Sequence, residues 1–416
     1  TGLQLDPVIA TRYEIETALD RYYADAETAK VLERYKREHQ ELEKTDEANN
    51  TQVDNSPVVL LVRSLMQQAA RQHASDIHIE PFEDKSIVRM RIDGAIVDYV
   101  TLQKGLHASL IARIKIISEL DIAERRVPQD GHFRVNVEGE YINIRVSILP
   151  TVFGEKAVLR LLAGNSTIQH ADSFGMEERD YERFRAMLDS PHGIIYLTGP
   201  TGSGKTTTLY TVLNELNTQE VNIITVEDPV EANLAGGNQV QVNPKADLTF
   251  ANALRSILRQ DPDIIMIGEI RDGETAKIAV QASITGHLVV STLHTNSSAG
   301  SIVRLMDMGV ENYLLADAIF GVIVQRLVRK LCPYCRRPRL ATEAEREVLS
   351  MAGEDPVTIY EPCGCDKCSQ TGYSGRLGVY EILRVTPRIK ELIHDRASAD
   401  QLRDTAVAEG MVTLRS

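Results

Sequence analysis

The chain of 416 residues lacks features that mark several classes of protein. No apolar run reaches the roughly 20 residues that a bilayer-spanning helix needs, so we expect any membrane role to be peripheral. Basic residues are not in excess, because 46 Lys and Arg stand against 59 Asp and Glu and give a net charge of −13. This balance argues against bulk nucleic-acid binding. The first residues show no secretory signal, and no internal repeat is evident.

Cysteine is also scarce, and the five cysteines all lie between Cys332 and Cys368. This clustering indicates a metal site in a reducing compartment rather than a scattered disulfide framework. The pairs Cys332/Cys335 and Cys365/Cys368 are CxxC units, which together offer four thiolates to a tetrahedral, structural Zn²⁺. Cys363 competes with Cys365 as a ligand, but only Cys365 has the two-residue spacing to Cys368, so we prefer it.

The length and the apolar pattern predict two or three domains. The chain begins at Thr1 rather than Met, and we expect an N-terminal part to be missing. Residues 1–50 are helix-like and charged, which favours a solvated helix or linker over a partner-binding helix. Alternating apolar residues over 76–162 predict strands of a small α/β domain. Four apolar runs over 190–330, separated by helical stretches, predict a parallel sheet.

The most specific feature of the sequence is a phosphate-binding loop. An apolar run at 194–197 predicts a buried strand before it, and a helical stretch follows it, which is the context a P-loop requires. Glycines let backbone N–H groups converge on phosphate oxygens, and a helix N-terminus favours anions. Lys205 is expected to reach the β- and γ-phosphates, and the Thr206 hydroxyl to bind Mg²⁺. The predicted nucleotide-binding residues are Gly199, Pro200, Thr201, Gly202, Ser203, Gly204, Lys205, Thr206 and Thr207.

Two acidic residues follow predicted strands of the same sheet. Ligands of an open α/β sheet lie at the carboxyl ends of its strands, so Glu227 is near the nucleotide if its strand neighbours the P-loop strand. Glu227 is our preferred candidate to orient or deprotonate a water molecule that attacks the γ-phosphate. The alternative is a role in a turn or as a helix cap. Glu269 follows the apolar run 264–267 behind a glycine and is expected to coordinate Mg²⁺ through water.

Basic side chains surround these acids in the sequence. Arg255, Arg259 and Arg271 are either structural ion pairs or arginine fingers that act on the γ-phosphate of this or a neighbouring subunit. Composition does not choose between these alternatives. His294 follows the last predicted parallel strand and is a candidate sensor of the γ-phosphate. For His287, an ordinary histidine satisfied within the fold is as good an interpretation as a functional one.

Together these motifs resemble one family, the secretion-superfamily ATPases of bacterial type II secretion and type IV pilus assembly. Residues 198–207 are similar to its Walker A loop, 225–231 to its aspartate box, 258–272 to its Walker B region and 285–295 to its histidine box. The paired CxxC units resemble the zinc module of the secretion and pilus-extension members, which retraction members lack. The type II secretion members fit best, and pilus extension is the alternative.

The resemblance implies an α/β fold with a RecA-like P-loop domain. ATP is expected between the two main domains, and Arg145 and Arg160 match family arginines that approach the nucleotide when those domains close. The implied parts are a helical remnant of a preceding domain and linker (1–55), a second N-terminal α/β domain (56–165), the RecA-like ATPase domain (175–330), a tetracysteine zinc module (331–372) and a helical C-terminal region (373–416).

The resemblance also implies an activity and partners. It implies a homohexameric ATPase motor for protein export, cytoplasmic and peripheral to the bacterial inner membrane, which uses ATP, Mg²⁺ and Zn²⁺. The expected partner is the cytoplasmic domain of an inner-membrane secretion-platform protein, bound through the preceding domain that is largely missing here. We expect neither a nucleic-acid partner nor a transmembrane segment.

Overall fold

The computed structural model describes residues 57–137, 139–162, 176–349, 351, 356–368 and 370–414. The chain divides into two compact units, Thr1–Gly164 and Asn165–Ser416. The helical character predicted for residues 1–50 lies outside the described residues.

The first unit is a six-stranded antiparallel sheet that shares one core with two helices. Ile144 and Val146 are buried in this core, and Arg145 between them is only half-buried, as the alternating pattern predicted. The helix Lys104–Ile117 ends where Glu119 adopts a left-handed backbone and directs the next N–H back to the last helical turn. The elements are α1 Pro57–Arg71, β1 Ala74–Pro81, β2 Lys85–Ile92, β3 Ala95–Gln103, α2 Lys104–Ile117, β4 Gln129–Val137, β5 Glu140–Thr151 and β6 Gly154–Leu162, in the sheet order β3-β2-β1-β6-β5-β4.

The second unit contains a seven-stranded sheet with six parallel strands and one antiparallel edge strand. All four parallel strands predicted from apolar runs are present, over Gly193–Thr198, Ile223–Glu227, Ile264–Ile267 and Leu288–Leu293. The elements are α3 Glu178–Leu188, β7 Gly193–Thr198, α4 Lys205–Leu216, β8 Ile223–Glu227, β9 Asn238–Gln241, α5 Phe250–Ile257, β10 Ile264–Ile267, α6 Gly273–Ile284, β11 Leu288–Leu293, α7 Ser298–Asp307, α8 Asn312–Ala318, β12 Ile319–Leu331, β13 Arg337–Leu340, α9 Glu343–Val348, β14 Thr358–Glu361, β15 Tyr373–Arg384, α10 Pro387–His394 and α11 Ala399–Ala408.

This sheet is buried on both faces, which explains its continuous apolar strands. On β7, Ile194 and Tyr196 enter one core cluster, and Ile195 and Leu197 enter the other. The strand order is β15-β12-β7-β11-β10-β8-β9. Strand β8 therefore does not neighbour the P-loop strand β7, because β11 and β10 lie between them. The condition under which we placed Glu227 near the nucleotide is not met.

The residues between Leu331, where β12 ends, and Tyr373, where β15 begins, contain all five cysteines and are called the cysteine segment. This segment is inserted between two strands of the sheet. Strands β12 and β15 pair antiparallel from Gly321/Arg384 to Leu331/Tyr373, and the short strands β13 and β14 pair with each other inside the insertion. The C-terminal region that we expected to be helical opens with β15 and continues as α10 and α11.

Candidate active site

The P-loop joins β7 to α4, and its glycines have backbone conformations that other residues rarely adopt. Gly199, Gly202 and Gly204 have φ values of 149°, 78° and 86°. A Cβ atom at Gly199 would lie 2.4 Å from the carbonyl oxygen of Gln325 on β12, so only glycine fits there. Gly204 immediately precedes α4. The loop therefore leads directly to a helix N-terminus, which favours a bound anion.

The donor groups of the loop are buried. Lys205 Nζ donates to the carbonyl oxygens of Gly199 at 2.8 Å and Pro200 at 3.0 Å. Burial lowers the pKa of Lys205, while the negative charge of Glu269 acts in the opposite direction. The Ser203 hydroxyl is buried and has no hydrogen-bond partner within the described part of the chain. A buried ammonium and a buried hydroxyl at a helix N-terminus are donors suited to phosphate oxygens.

Glu269 follows β10 and lies among basic side chains. Its Oε1 is 2.6 Å from Arg271 Nη2, and its Oε2 is 3.5 Å from His294 Nε2. The hydrogen bond to Glu269 raises the pKa of Arg271. The fold thus brings Lys205, Glu269, Arg271 and His294 together at the carboxyl ends of the strands. His287 lies apart from this group, since its Nδ1 is 2.8 Å from a carbonyl oxygen of α6, as expected of a structural histidine.

Glu227 has a different environment, which the sequence did not reveal. Glu227 is a buried residue, 3% exposed. Tyr210 Oη donates to Oε2 at 2.6 Å, and Thr225 Oγ1 donates to Oε1 at 2.6 Å. Gln239 Nε2 also donates to Oε1, at 3.1 Å. Tyr210 and Gln239 are polar groups within otherwise apolar or loop-like segments, so no local motif singled them out.

The three arginines near the acids have different partners. Arg255 on α5 forms an ion pair with Glu274 on α6, and Arg271 pairs with Glu269. Arg259 donates to the Arg255 carbonyl oxygen at 2.7 Å and has no carboxylate partner among the residues that the structure describes. Two of the three arginines are therefore ion-paired within the chain.

Arg145 and Arg160 belong to the first unit, where they face each other on β5 and β6. Arg160 Nε donates to Asp76 Oδ1 at 2.9 Å. Burial raises the pKa of Asp76, but hydrogen bonds from Arg160 and Ser75 outweigh it, and the pKa lies below its ordinary value. The two arginines are thus adjacent on the sheet face opposite the helices.

Four of the five cysteines form one cluster. Their Sγ atoms all lie within 4.8 Å of one another, and Cys363 is exposed outside this group. The Sγ–Sγ distances are 3.9 Å for Cys332/Cys365, 3.8 Å for Cys335/Cys368 and 3.8 Å for Cys365/Cys368. A tetrahedron with Zn–S bonds of about 2.3 Å has edges of about 3.8 Å. The donor set and its geometry therefore fit a zinc ion, with Cys365 in the cluster as we expected.

A glycine loop with a buried lysine, set on a parallel sheet with an acid at a nearby strand end, defines a P-loop nucleotide-binding protein. Residues 51–416 match the profile of a family described as Type II/IV secretion system protein, and the chain belongs to this family. It is 48% identical over 344 residues to Type II secretion system ATPase E of Vibrio cholerae, covering 83% of this chain and 68% of that relative. It is 43% identical over 430 residues to Type IV pilus assembly ATPase PilB of Myxococcus xanthus, covering 100% of this chain and 75% of that relative.

A solved structure supports the same fold. The pilus retraction motor PilT with bound ADP has a TM-score of 0.54 and 25% identity, covering 84% of this chain and 94% of PilT. The expected RecA-like α/β fold is confirmed, the chain is an ATPase, and the relatives favour type II secretion over pilus assembly. Within the described ranges, every helix is too short or too polar to span a bilayer.

Proposed function

We propose that this chain hydrolyses ATP to power protein export through a type II secretion system. It acts as a homohexamer on the cytoplasmic side of the bacterial inner membrane and binds an inner-membrane platform protein. The observation that carries the proposal is the P-loop with Lys205 and Glu269 in a chain 48% identical to a relative named as a type II secretion ATPase. The site supports hydrolysis, and the relative's name supports the coupling to secretion.

In the proposed reaction, water attacks the γ-phosphate of ATP, and ADP leaves. Lys205 and the loop N–H groups hold the phosphates, while Arg271 and His294 supply positive charge and a hydrogen bond beside them. The Thr206 hydroxyl would hold Mg²⁺, which neutralises charge on the phosphate oxygens. The four clustered cysteines would hold one Zn²⁺ that links the two ends of the cysteine segment.

We further propose Glu269 as the acid that orients the attacking water. The sequence motif favours Glu227 for this role, and that assignment stays a prediction. The hydrogen bonds support Glu269, because the Glu227 carboxylate already accepts from three side chains and is 3% exposed. Glu269 instead interacts with Lys205 through its charge and is 14% exposed.

The test is phosphate release by the chain fused to a hexameric carrier. Lys205→Ala and Glu269→Gln should each lower kcat by about 10²–10³, because each removes a contact made to the reacting groups. Glu227→Gln should keep more than about a tenth of the wild-type kcat, because glutamine retains the oxygen that accepts from Tyr210. Loss of activity in Glu227→Gln with a functional Glu269→Gln would reverse the two roles.

Secretion and pilus extension are separated by complementation with the full-length protein. In a strain that lacks its own secretion ATPase, it should restore export of a type II substrate. Restored pilus assembly without restored export would favour the alternative that the 43% identical pilus relative represents.

A further inference from the structure

The donors around Glu227 belong to a buried network that starts on the P-loop helix. Tyr210 lies on α4, about one and a half turns after Lys205, and is 5% exposed. Its hydroxyl donates to Glu227 Oε2 at 2.6 Å and accepts from Gln239 Nε2 at 3.1 Å and the Ala232 N–H at 3.3 Å. The phenol oxygen of this helix residue therefore contacts strand β8, strand β9 and the loop between them.

Gln239 is itself held in place by backbone groups. Its Nε2 also lies 2.9 Å from the Ala232 carbonyl oxygen, and its Oε1 accepts from the Leu234 N–H at 2.8 Å. Thr225 completes the network from within β8, where its side chain is fully buried. The Glu227 carboxylate consequently has its position defined by three side chains on three different segments.

Glu227 in turn packs against the turn that carries Glu269. The N–H of Gly268 donates to the Val226 carbonyl oxygen at 2.8 Å. A Cβ atom on Gly268 would lie 3.4 Å from Glu227 Cα, so the two main chains are in close contact. A displacement of Glu227 would therefore disturb the position of Gly268, the residue immediately before Glu269.

We propose that Tyr210 is a positioning residue for ATP hydrolysis, which fixes Glu227 through its hydroxyl and thereby holds the turn that presents Glu269 to the γ-phosphate. This inference rests on the proposed function, in which Glu269 orients the water. Because Tyr210 and Lys205 share one helix, the network also joins the phosphate-binding helix to the turn that carries the acid. Burial, followed by the hydrogen bond to Glu227, raises the pKa of Tyr210, so the phenol stays a donor at neutral pH.

Tyr210→Phe tests this proposal, and Tyr196→Phe is its matched control. Tyr196 is a fully buried tyrosine of β7 whose hydroxyl has no hydrogen-bond partner within the described residues. Each variant removes one phenol oxygen from the buried part of the same unit. With the hexameric fusion, Tyr210→Phe should lower kcat about tenfold while KM for ATP changes less than about threefold. Tyr196→Phe should leave kcat within about twofold of the wild type.

A double variant tests whether Tyr210 acts through Glu227. If it does, Tyr210→Phe combined with Glu227→Ala should lose no more activity than the more impaired single variant, because each change removes the hydrogen bond between Tyr210 and Glu227. Losses that multiply would overturn the proposal, as would a Tyr210→Phe kcat equal to that of Tyr196→Phe. A raised KM with unchanged kcat would also overturn it, because that pattern reports lost ATP binding.

Thr225→Val keeps the inference testable if Tyr210→Phe does not fold. This variant removes a different donor to Glu227 with little change in shape, and it should lower kcat at constant KM. A wild-type kcat in Thr225→Val would refute the role of the hydrogen-bond network in ATP hydrolysis. Failure of the proposed function looks different, because wild-type turnover would then be no higher than that of Lys205→Ala.

Discussion

Two cysteines, two positions apart in the sequence, provide a sharp test of the zinc site. Cys365 lies in the four-cysteine cluster, with Sγ–Sγ distances of 3.9 Å to Cys332 and 3.8 Å to Cys368, whereas Cys363 is exposed outside it. Serine replaces sulfur with oxygen at nearly the same size. Cys365→Ser should therefore remove one ligand, and Cys363→Ser should remove none.

The expected loss of zinc-binding free energy in Cys365→Ser follows from the number of ligands. Structural zinc sites have apparent binding free energies of about 10–16 kcal/mol at pH 7, so each of four thiolates contributes roughly 3 kcal/mol. Loss of that amount weakens zinc binding by about 10² or more. Because the cysteine segment joins β12 to β15, Cys365→Ser should also make this segment more sensitive to proteolysis.

The assay is metal analysis after incubation with a competing chelator and gel filtration. Wild type and Cys363→Ser should retain about one zinc per chain, and Cys365→Ser should retain much less. Zinc loss in Cys363→Ser with retention in Cys365→Ser would show that the ligand set is wrong. A wild-type protein that binds no zinc would refute the site altogether.

Three further predictions concern the arginines and their partners. Asp76→Asn should lower the free energy of unfolding by about 1–3 kcal/mol at pH 7, because it removes a charge-assisted hydrogen bond with Arg160. Since the folded-state pKa of Asp76 is depressed, this stabilisation is present above the unfolded pKa of about 3.9 and is lost as the pH falls through the folded pKa. Urea unfolding should thus show a smaller difference at pH 3 than at pH 7, and equal differences would contradict this explanation. Hydrolysis per chain should rise steeply with protein concentration, because assembly lets a neighbouring subunit supply an arginine finger in trans. Such an arginine contributes about 10³–10⁵ in rate. Mixing Arg145→Ala with Lys205→Ala chains should restore no activity if Arg145 acts within its own chain, whereas concentration-independent turnover by a monomer would refute a shared site.

The sequence alone determined the features whose physical cause is local. The P-loop was identifiable because left-handed conformations require glycine at neighbouring positions, and because a buried strand and a helix flank them. The strands of both units were predictable, since burial of one or both faces dictates alternating or continuous apolar residues. The choice of Cys365 over Cys363 likewise followed from spacing, because two ligands of one knuckle must reach the same ion.

Only the tertiary structure decided the features that depend on which distant segments meet. Strand order separates β8 from the P-loop strand, and no local pattern specifies that order. The same packing brings Tyr210 of α4 to Glu227 and pairs Arg255 with Glu274, although neither contact has a sequence motif. Hydrogen bonds and ion pairs form where the folded chain places complementary groups within about 3 Å, so the roles of the two glutamates depend on the folded chain rather than on their motifs.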